Sequence, residues 1–184
     1  MTPLRIAVIV GSTREGRAGD RVADWFVEQA KRHDDLTVTV VDLSEYDFPA
    51  SYPAASTAPI QAFAREVGRA DAFVVVTPEY NHSFPAPLKQ AIDYAYDEWQ
   101  AKPVGFVSYG CRSTGLHAVD QLRTVFTALH AMTVRDVVGI DLLAGDPTAR
   151  CADELRHDTD VLLDQLRWWG LALRDGRAAR PYVS

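Results

Sequence analysis

Apolar residues in this chain follow two alternating rhythms. Five short runs are almost continuously apolar or β-branched: LRIAVIV (4–10), LTVTVVD (36–42), AFVVVT (72–77), KPVGFVSY (102–109) and TVRDVVGI (133–140). Between and after them the apolar positions fall at helical spacing. Val22, Phe26 and Ala30 share a face in 19–33, and Ile60, Phe63 and Val67 in 58–70. Leu88, Ile92 and Tyr96 do so in 87–97, with Pro87 suited to a first turn. Leu116, Val119, Leu122, Phe126 and Leu129 mark 115–130, and Leu155, Leu162, Leu166 and Trp169 mark 152–171. Strands apolar throughout are covered on both faces, which is the habit of parallel sheets. Strand–helix alternation then predicts an α/β fold: a three-layer, doubly wound, five-stranded parallel sheet with right-handed crossovers. Five strands suit the order 2-1-3-4-5. Residues 1–184 read as a single domain without internal repeats, with a loose Arg/Ala-rich tail from about 174. Residues 43–57 are Pro- and Ser-rich, without period, and too long for a simple connector.

Composition narrows the function. A length of 184 residues with 47% hydrophobic and 24% charged content suits one packed soluble domain. The net charge of −6 argues against a general nucleic-acid binder, whose footprint is basic. No apolar run reaches membrane-spanning length, and MTPLRIAVIV is too short for a leader. The expected setting is therefore cytoplasmic, with no membrane. Of 19 basic residues only Lys31, Lys89 and Lys102 are lysines, so an arginine carries information only where its position does. Cys111 and Cys151 form no metal or disulfide pattern and read as free thiols in a reducing compartment. His33, His82, His117, His130 and His157 show no triad or metal spacing, so no metal is expected and no catalytic side chain is named; His82 alone adjoins the TPEYN segment, where it could donate a proton.

Open α/β sheets bind ligands beyond the carboxyl ends of the strands, where the strand order reverses. In the order 2-1-3-4-5 that point lies between the first and third strands. The loops there are GSTREGRAG (11–19) and TPEYNHSF (77–84), with YGCRSTG (109–115) alongside. GSTREGRAG leads into a helix and carries Ser12, Thr13, Arg14, Arg17 and Gly19. Free amides at a helix start and bidentate guanidinium groups suit a phosphate; a glycine-rich turn with solvated arginines is the alternative. The loop is not G-x-G-x-x-G, and Arg17 and Ala18 replace the Lys and Ser/Thr of a nucleoside-triphosphate loop. A single terminal phosphate fits better. In TPEYN, Pro78 stiffens the turn, and the amides of Glu79, Tyr80 and Asn81 have no evident strand partner. They suit the polar edge of a planar ligand, with Tyr80 as an aromatic contact and Asn81 as donor and acceptor; a stiff turn with Tyr80 on the core is equally open. The third loop offers Tyr109, Gly110, Cys111 and Ser113, either against a ligand or, through Ser113 or Thr114, as a helix cap.

The segments GSTREGR (11–17), VVVTPEYNHSFPAPLKQAIDY (74–94) and SYGCRSTGLHAVDQLR (108–123) resemble those of the NAD(P)H-dependent FMN reductase family. TPEYN followed by S-x-P and LK-x-AIDY is the most specific of them. The resemblance implies a flavodoxin-like fold and FMN as cofactor, with NADPH or NADH as donor. It also implies a small-molecule acceptor such as a quinone, a flavin or an azo compound. Ser12, Arg14 and Arg17 would meet the FMN phosphate, with Thr13 also on the cofactor and the helix starting at Gly19. Pro78, Glu79, Tyr80 and Asn81 would run along the ring, and Tyr109, Gly110, Cys111 and Ser113 would line its other side. The resemblance further implies a homodimer, or a tetramer built from dimers. Cys111 stands where relatives usually have a second glycine, which bears on acceptor choice.

Three rivals are compatible with the same fold. A flavodoxin-type electron carrier would bind FMN without nicotinamide turnover. A flavin-state redox sensor would use a partner surface such as the 43–57 loop or the Trp168–Trp169 pair, tryptophans that otherwise pack the last helix on the sheet. A nucleotide enzyme without flavin would place Asp42, at the end of the second strand, on a ribose.

Overall fold

The structure, a computed structural model, describes residues 2–144 and 152–183. Five parallel strands form one sheet: β1 (Leu4–Val10), β2 (Leu36–Asp42), β3 (Ala72–Pro78), β4 (Pro103–Gly110) and β5 (Met132–Asp141). Their order is β2-β1-β3-β4-β5. The five helices are α1 (Gly19–Ala30), α2 (Ala58–Arg69), α3 (Ala86–Asp93), α4 (Leu116–Ala128) and α5 (Ala152–Ala179). This is the doubly wound, flavodoxin-like topology expected from the apolar rhythm.

Each strand sends alternate side chains to opposite faces, and each face has its own core. Leu4, Ile6 and Val8 of β1 meet Val22 and Phe26 of α1 and Leu162 and Leu166 of α5. Ala7 and Ile9 meet the other layer, where α2, α3 and α4 supply Phe63, Leu88, Ile92, Leu122 and Phe126. Every residue of β3 and β4 is buried, as their unbroken apolar runs demand.

Two helix ends differ from the sequence expectation. Helix α3 stops at Asp93 rather than 97, because the chain turns Trp99 into the core and its Nε1 donates to the Ile92 carbonyl at 3.1 Å. Helix α5 runs to Ala179, through the segment expected to be a loose tail from about 174. Its arginines hold it down: Arg174 donates to the carbonyls of Thr2 and Pro3 at 3.3 and 3.2 Å, and Arg177 donates to that of Ala101. Both lie 3.7 Å from the buried carboxylate of Asp71, which Arg5 engages at 3.1 Å.

The first half of the 43–57 loop is anchored. Tyr46 and Phe48 pack on Phe63 with ring centroids 5.6 and 5.7 Å away. The Pro49 carbonyl accepts from Gln90 Nε2 at 2.7 Å and from the Tyr94 hydroxyl at 3.0 Å. Trp168 and Trp169 do not pack on the sheet; they are 63% and 38% exposed. Gly170 takes that place, close enough to Leu4 that a Cβ would stand 2.8 Å from its Cδ2.

Candidate functional site

The three loops singled out above leave the carboxyl ends of β1, β3 and β4, which are adjacent strands. Thr13, Arg14 and Glu15 of the first loop are exposed, whereas Ser12 is buried with its hydroxyl 3.1 Å from that of Tyr80. Gly16 has φ +67, a left-handed conformation that glycine adopts without strain. Helix α1 begins after Ala18, whose methyl group cannot cap it. Its first amides therefore have no side-chain cap.

The two arginines of this loop separate in role. Among the described residues, the Arg14 guanidinium has no partner. Arg17, expected to reach the same anion, is turned inward and only 10% exposed in its side chain. It donates to both Asp42 oxygens, one at 2.9 Å, and to the Ser12 carbonyl, and its Nε lies 2.7 Å from Asp20. Burial raises the Asp42 carboxyl pKa, but the bonds from Arg17 and Ser44 outweigh it and hold the group below its ordinary value. Asp42 is thus committed to fixing Arg17 and to capping the turn at Ser44, whose amide it accepts at 2.9 Å. A free ribose-binding acid is not available there.

Beneath this loop lies Tyr109. Its side chain points to the α1 layer rather than to the far side of a ring, and it is 3% exposed. Its hydroxyl has no hydrogen-bond partner among the described residues. Burial, followed by the nearby Tyr80, pushes the phenol well above its ordinary pKa. Gly19 makes room for it, since a Cβ there would stand 2.8 Å from the Tyr109 hydroxyl.

The second loop is more internally bonded than its sequence suggests. Pro78 is the last residue of β3, paired with Tyr109. The Glu79 amide donates to the Tyr109 carbonyl at 3.1 Å, and Tyr80 and Ser83 exchange both backbone bonds, at 2.8 and 3.0 Å. Asn81 and His82 between them have φ +52 and +63. Two successive left-handed residues make a tight two-residue hairpin, which Asn tolerates well. Of the three amides expected to face a ligand, those of Glu79 and Tyr80 are therefore occupied within the protein. Asn81 stays exposed at the tip.

In the third loop, neither Ser113 nor Thr114 caps α4 with its side chain; the N-cap is Gly115 at φ +88. The cap comes from the neighbouring loop. Glu79 Oε2 accepts from the His117 amide at 3.2 Å and from the Ser113 hydroxyl at 2.7 Å. Gly110 allows this crossing, since a Cβ would press on the Gly115 amide at 3.2 Å. Cys111 is exposed as a free thiol; Cys151 lies outside the described residues. No motif or spacing singled out His117 and Gln121, which stand in this neighbourhood. The His82 and His117 rings stack 4.3 Å apart, and Gln121 bonds the hairpin through the His82 carbonyl at 2.7 Å and the Ser83 hydroxyl at 2.6 Å.

Known proteins share this arrangement of chain. The profile of the family described as NADPH-dependent FMN reductase matches residues 4–143. An NAD(P)H-dependent FMN reductase of Schizosaccharomyces pombe is 38% identical over 126 residues, which span 62% of this chain and 62% of that protein. A quinone reductase of Pseudomonas putida is 30% identical over 178 residues, 89% of this chain and 93% of that one. Among solved structures, the flavoenzyme NAD(P)H:(acceptor) oxidoreductase FerB of Paracoccus denitrificans superposes with a TM-score of 0.72 at 20% identity, covering 89% of this chain and 97% of that one. That likeness shows a common fold. The family match runs from the first residue of β1 past the end of β5 and takes in all three loops, so this chain belongs to the NADPH-dependent FMN reductase family.

Proposed function

We propose that this chain is an FMN-dependent oxidoreductase that takes a hydride from NADPH or NADH and delivers it to a small acceptor such as a quinone, a flavin or an azo compound. The observation that carries the reading is the start of α1. There an uncapped helix end, the partnerless Arg14, the hydroxyl-bearing Ser12 and Thr13, and the unsatisfied buried Tyr109 hydroxyl gather around one loop. Such a donor set fits a phosphate monoester, the end by which FMN differs from riboflavin. Ser12, Thr13, Arg14 and the α1 amides hold that phosphate. Arg17 keeps the loop in shape from behind, through Asp42 and Asp20. The Pro78–Asn81 segment and the Gly110–Ser113 loop, bonded together by Glu79, form the walls for the ring.

Bound FMN supplies the two-electron chemistry, which no side chain here provides. The protein binds and orients, so no side chain is assigned as a nucleophile. Donor and acceptor use one opening in turn, which gives ping-pong kinetics. The assembly in this reading is a homodimer, or a tetramer built from dimers, working in the cytoplasm. Tyr52 and Tyr96, 74% and 53% exposed, offer apolar surface for a second copy. Among the described residues no helix is long and apolar enough to cross a membrane.

The test is an anaerobic visible spectrum of protein mixed with FMN and freed of excess, before and after NADPH, on a sample whose mass is read by light scattering. A retained flavin band that bleaches, and returns on adding a quinone, is the expected result. A band that stays oxidised with both NADPH and NADH overturns the enzyme reading in favour of a carrier or sensor. A monomer mass removes the dimer.

A further inference from the structure

The rim of the site carries a group of ligand atoms that flavin binding leaves unused. Glu79, His82 and His117 each offer a ligand atom, and these atoms lie within 4.8 Å of one another. The histidines are 35 positions apart in sequence, so no spacing announced them; β3 and β4 lie side by side and bring them together. We propose that these three residues bind a borderline divalent transition-metal ion, with Zn²⁺ as its representative, at the mouth of the site.

Two imidazoles and a carboxylate are a donor set that suits Zn²⁺ and leaves a position open to solvent. The ring nitrogens of His82 and His117 have no hydrogen-bond partners among the described residues. By contrast, His33 is engaged by Arg167 and Asp160, and His130 by Tyr182. Glu79 uses one oxygen, Oε2, for Ser113 and the His117 amide, which leaves Oε1 for an ion. The Ser113 hydroxyl holds that carboxylate in orientation, the task of an outer-shell partner.

The backbones that present the ligands are tied together. Gln121, one turn after His117 on α4, accepts from Ser83 and donates to the His82 carbonyl, so hairpin and helix move as one. The left-handed conformation of His82 fixes the direction in which its side chain leaves the hairpin. Only side-chain rotation remains. The rings now lie face to face at 4.3 Å and 26°. Ligating one ion at 2.0–2.1 Å requires them to swing until the donor atoms stand about 3.3 Å apart. Both histidines are exposed and have room to do so. An ion so held sits beside Asn81 and obstructs the opening through which an acceptor enters; that consequence rests on the oxidoreductase reading, whereas the binding itself does not.

Isothermal titration with ZnCl₂ in a buffer that does not chelate tests the site, on wild type, His82→Asn and His117→Asn. Wild type is expected to bind one ion per chain, saturating below about 100 μM. Each variant is expected to lose at least roughly ten-fold in affinity while keeping the metal-free melting temperature of wild type. Zn²⁺ should raise the melting temperature of wild type and leave that of His117→Asn where it was. No binding up to millimolar Zn²⁺, or binding that His117→Asn does not weaken, would overturn the proposal and reduce the pair to a solvated stack. In turnover assays, Zn²⁺ should inhibit wild type and spare His117→Asn; a bound ion that leaves turnover unchanged would refute the obstruction. A chain that binds Zn²⁺ through both histidines yet never oxidises NADPH would sink the enzyme reading and leave the metal site standing.

Discussion

Replacing Arg14 and Arg17 by alanine separates two roles that one loop sequence had run together. Arg17 is enclosed: its side chain is 10% exposed, that of its partner Asp42 is 19% exposed, and it also reaches Asp20 and the Ser12 carbonyl. Breaking an exposed ion pair costs up to about 1 kcal/mol, and orphaning a charge in a fully buried pair costs about 3–5 kcal/mol. The Arg17–Asp42 pair lies between these limits, so Arg17→Ala should destabilise the flavin-free protein by about 2 kcal/mol. For a chain of this size that lowers the melting temperature by about 4–8 °C. Arg14→Ala removes an exposed side chain without a partner, and its effect on stability should stay within about 0.5 kcal/mol. Its effect should appear in FMN binding, weakened about ten- to hundred-fold by loss of a charge-assisted phosphate contact. The assays are thermal melts without FMN and fluorescence titration with FMN. A double-mutant cycle of Arg17→Ala with Asp42→Asn should show a coupling of at least about 1 kcal/mol. The pH dependence has a definite sign. Asp42 is held below its ordinary carboxyl pKa, so its contribution is present above the unfolded value of 3.8 and is lost as pH falls through the lower folded value. An unchanged melting temperature in Arg17→Ala, together with weak FMN binding, would show a direct phosphate ligand and refute the clamp. A large drop for Arg14→Ala would show that Arg14 is not free.

Three further substitutions probe the frame. Gly19→Ala sets a methyl group 2.8 Å from the Tyr109 hydroxyl and should cost about 1–3 kcal/mol in urea denaturation. Tyr109→Phe in the same chain should restore most of that, because the ring carbon behind the hydroxyl stands at 3.8 Å; an uncorrected double mutant would show that the strain lies elsewhere. Lys102 is buried, with its amine 3.0 Å from the Val67 and Gly68 carbonyls; burial, followed by the charge of Arg177, lowers its pKa from 10.5 to about 8. Between those values the unfolded chain holds the extra proton, so the Lys102 contribution to stability should rise with pH by about 3 kcal/mol over that window and be lost as pH falls through 8. The stability difference between wild type and Lys102→Met, followed from pH 7 to 10, reads this directly, and a flat difference would show that the amine stays charged throughout.

The sheet and its order were legible because strands and helices write their periods into every residue, and an error of one position does not change the pattern. Helix ends were less so. Nothing local stops α3 at Asp93; the stop comes from Trp99 filling a core that three other elements create. The segment from about 174 reads as a loose tail because the acceptors of Arg174 and Arg177, the carbonyls of Thr2, Pro3 and Ala101, lie far away in sequence. The site shows the same division. Its three loops were legible from their place at the strand ends, and they do leave adjacent strands there. Their side-chain bonding was not, because the deciding side-chain contacts cross from one strand end to the next: Arg17 to Asp42 across β1 and β2, and Glu79 to Ser113 and His117 across β3 and β4. A sequence lists the donors in order, whereas the partners are assigned by which strands become neighbours.

Those cross-loop contacts also bear on the rival readings. A dinucleotide site without flavin needs an acid at the end of β2 that is free to meet a ribose hydroxyl. Asp42 occupies that position, but both its oxygens are engaged by Arg17 and one also by Ser44. Freeing it would release Arg17 into the same space and leave the loop without its brace, so ribose binding there would work against the fold. A phosphate at the start of α1 makes no such demand, because Arg14 and the first helical amides stand unused. The same logic applies to Glu79: as the cap of α4 it is bound to protein through Oε2, so a role toward a ligand is left only to Oε1. What a site can bind is set by the donors and acceptors that the fold leaves over, and here the remainder at α1 is cationic and amide-rich, while the remainder at the hairpin is two imidazoles and one carboxylate oxygen.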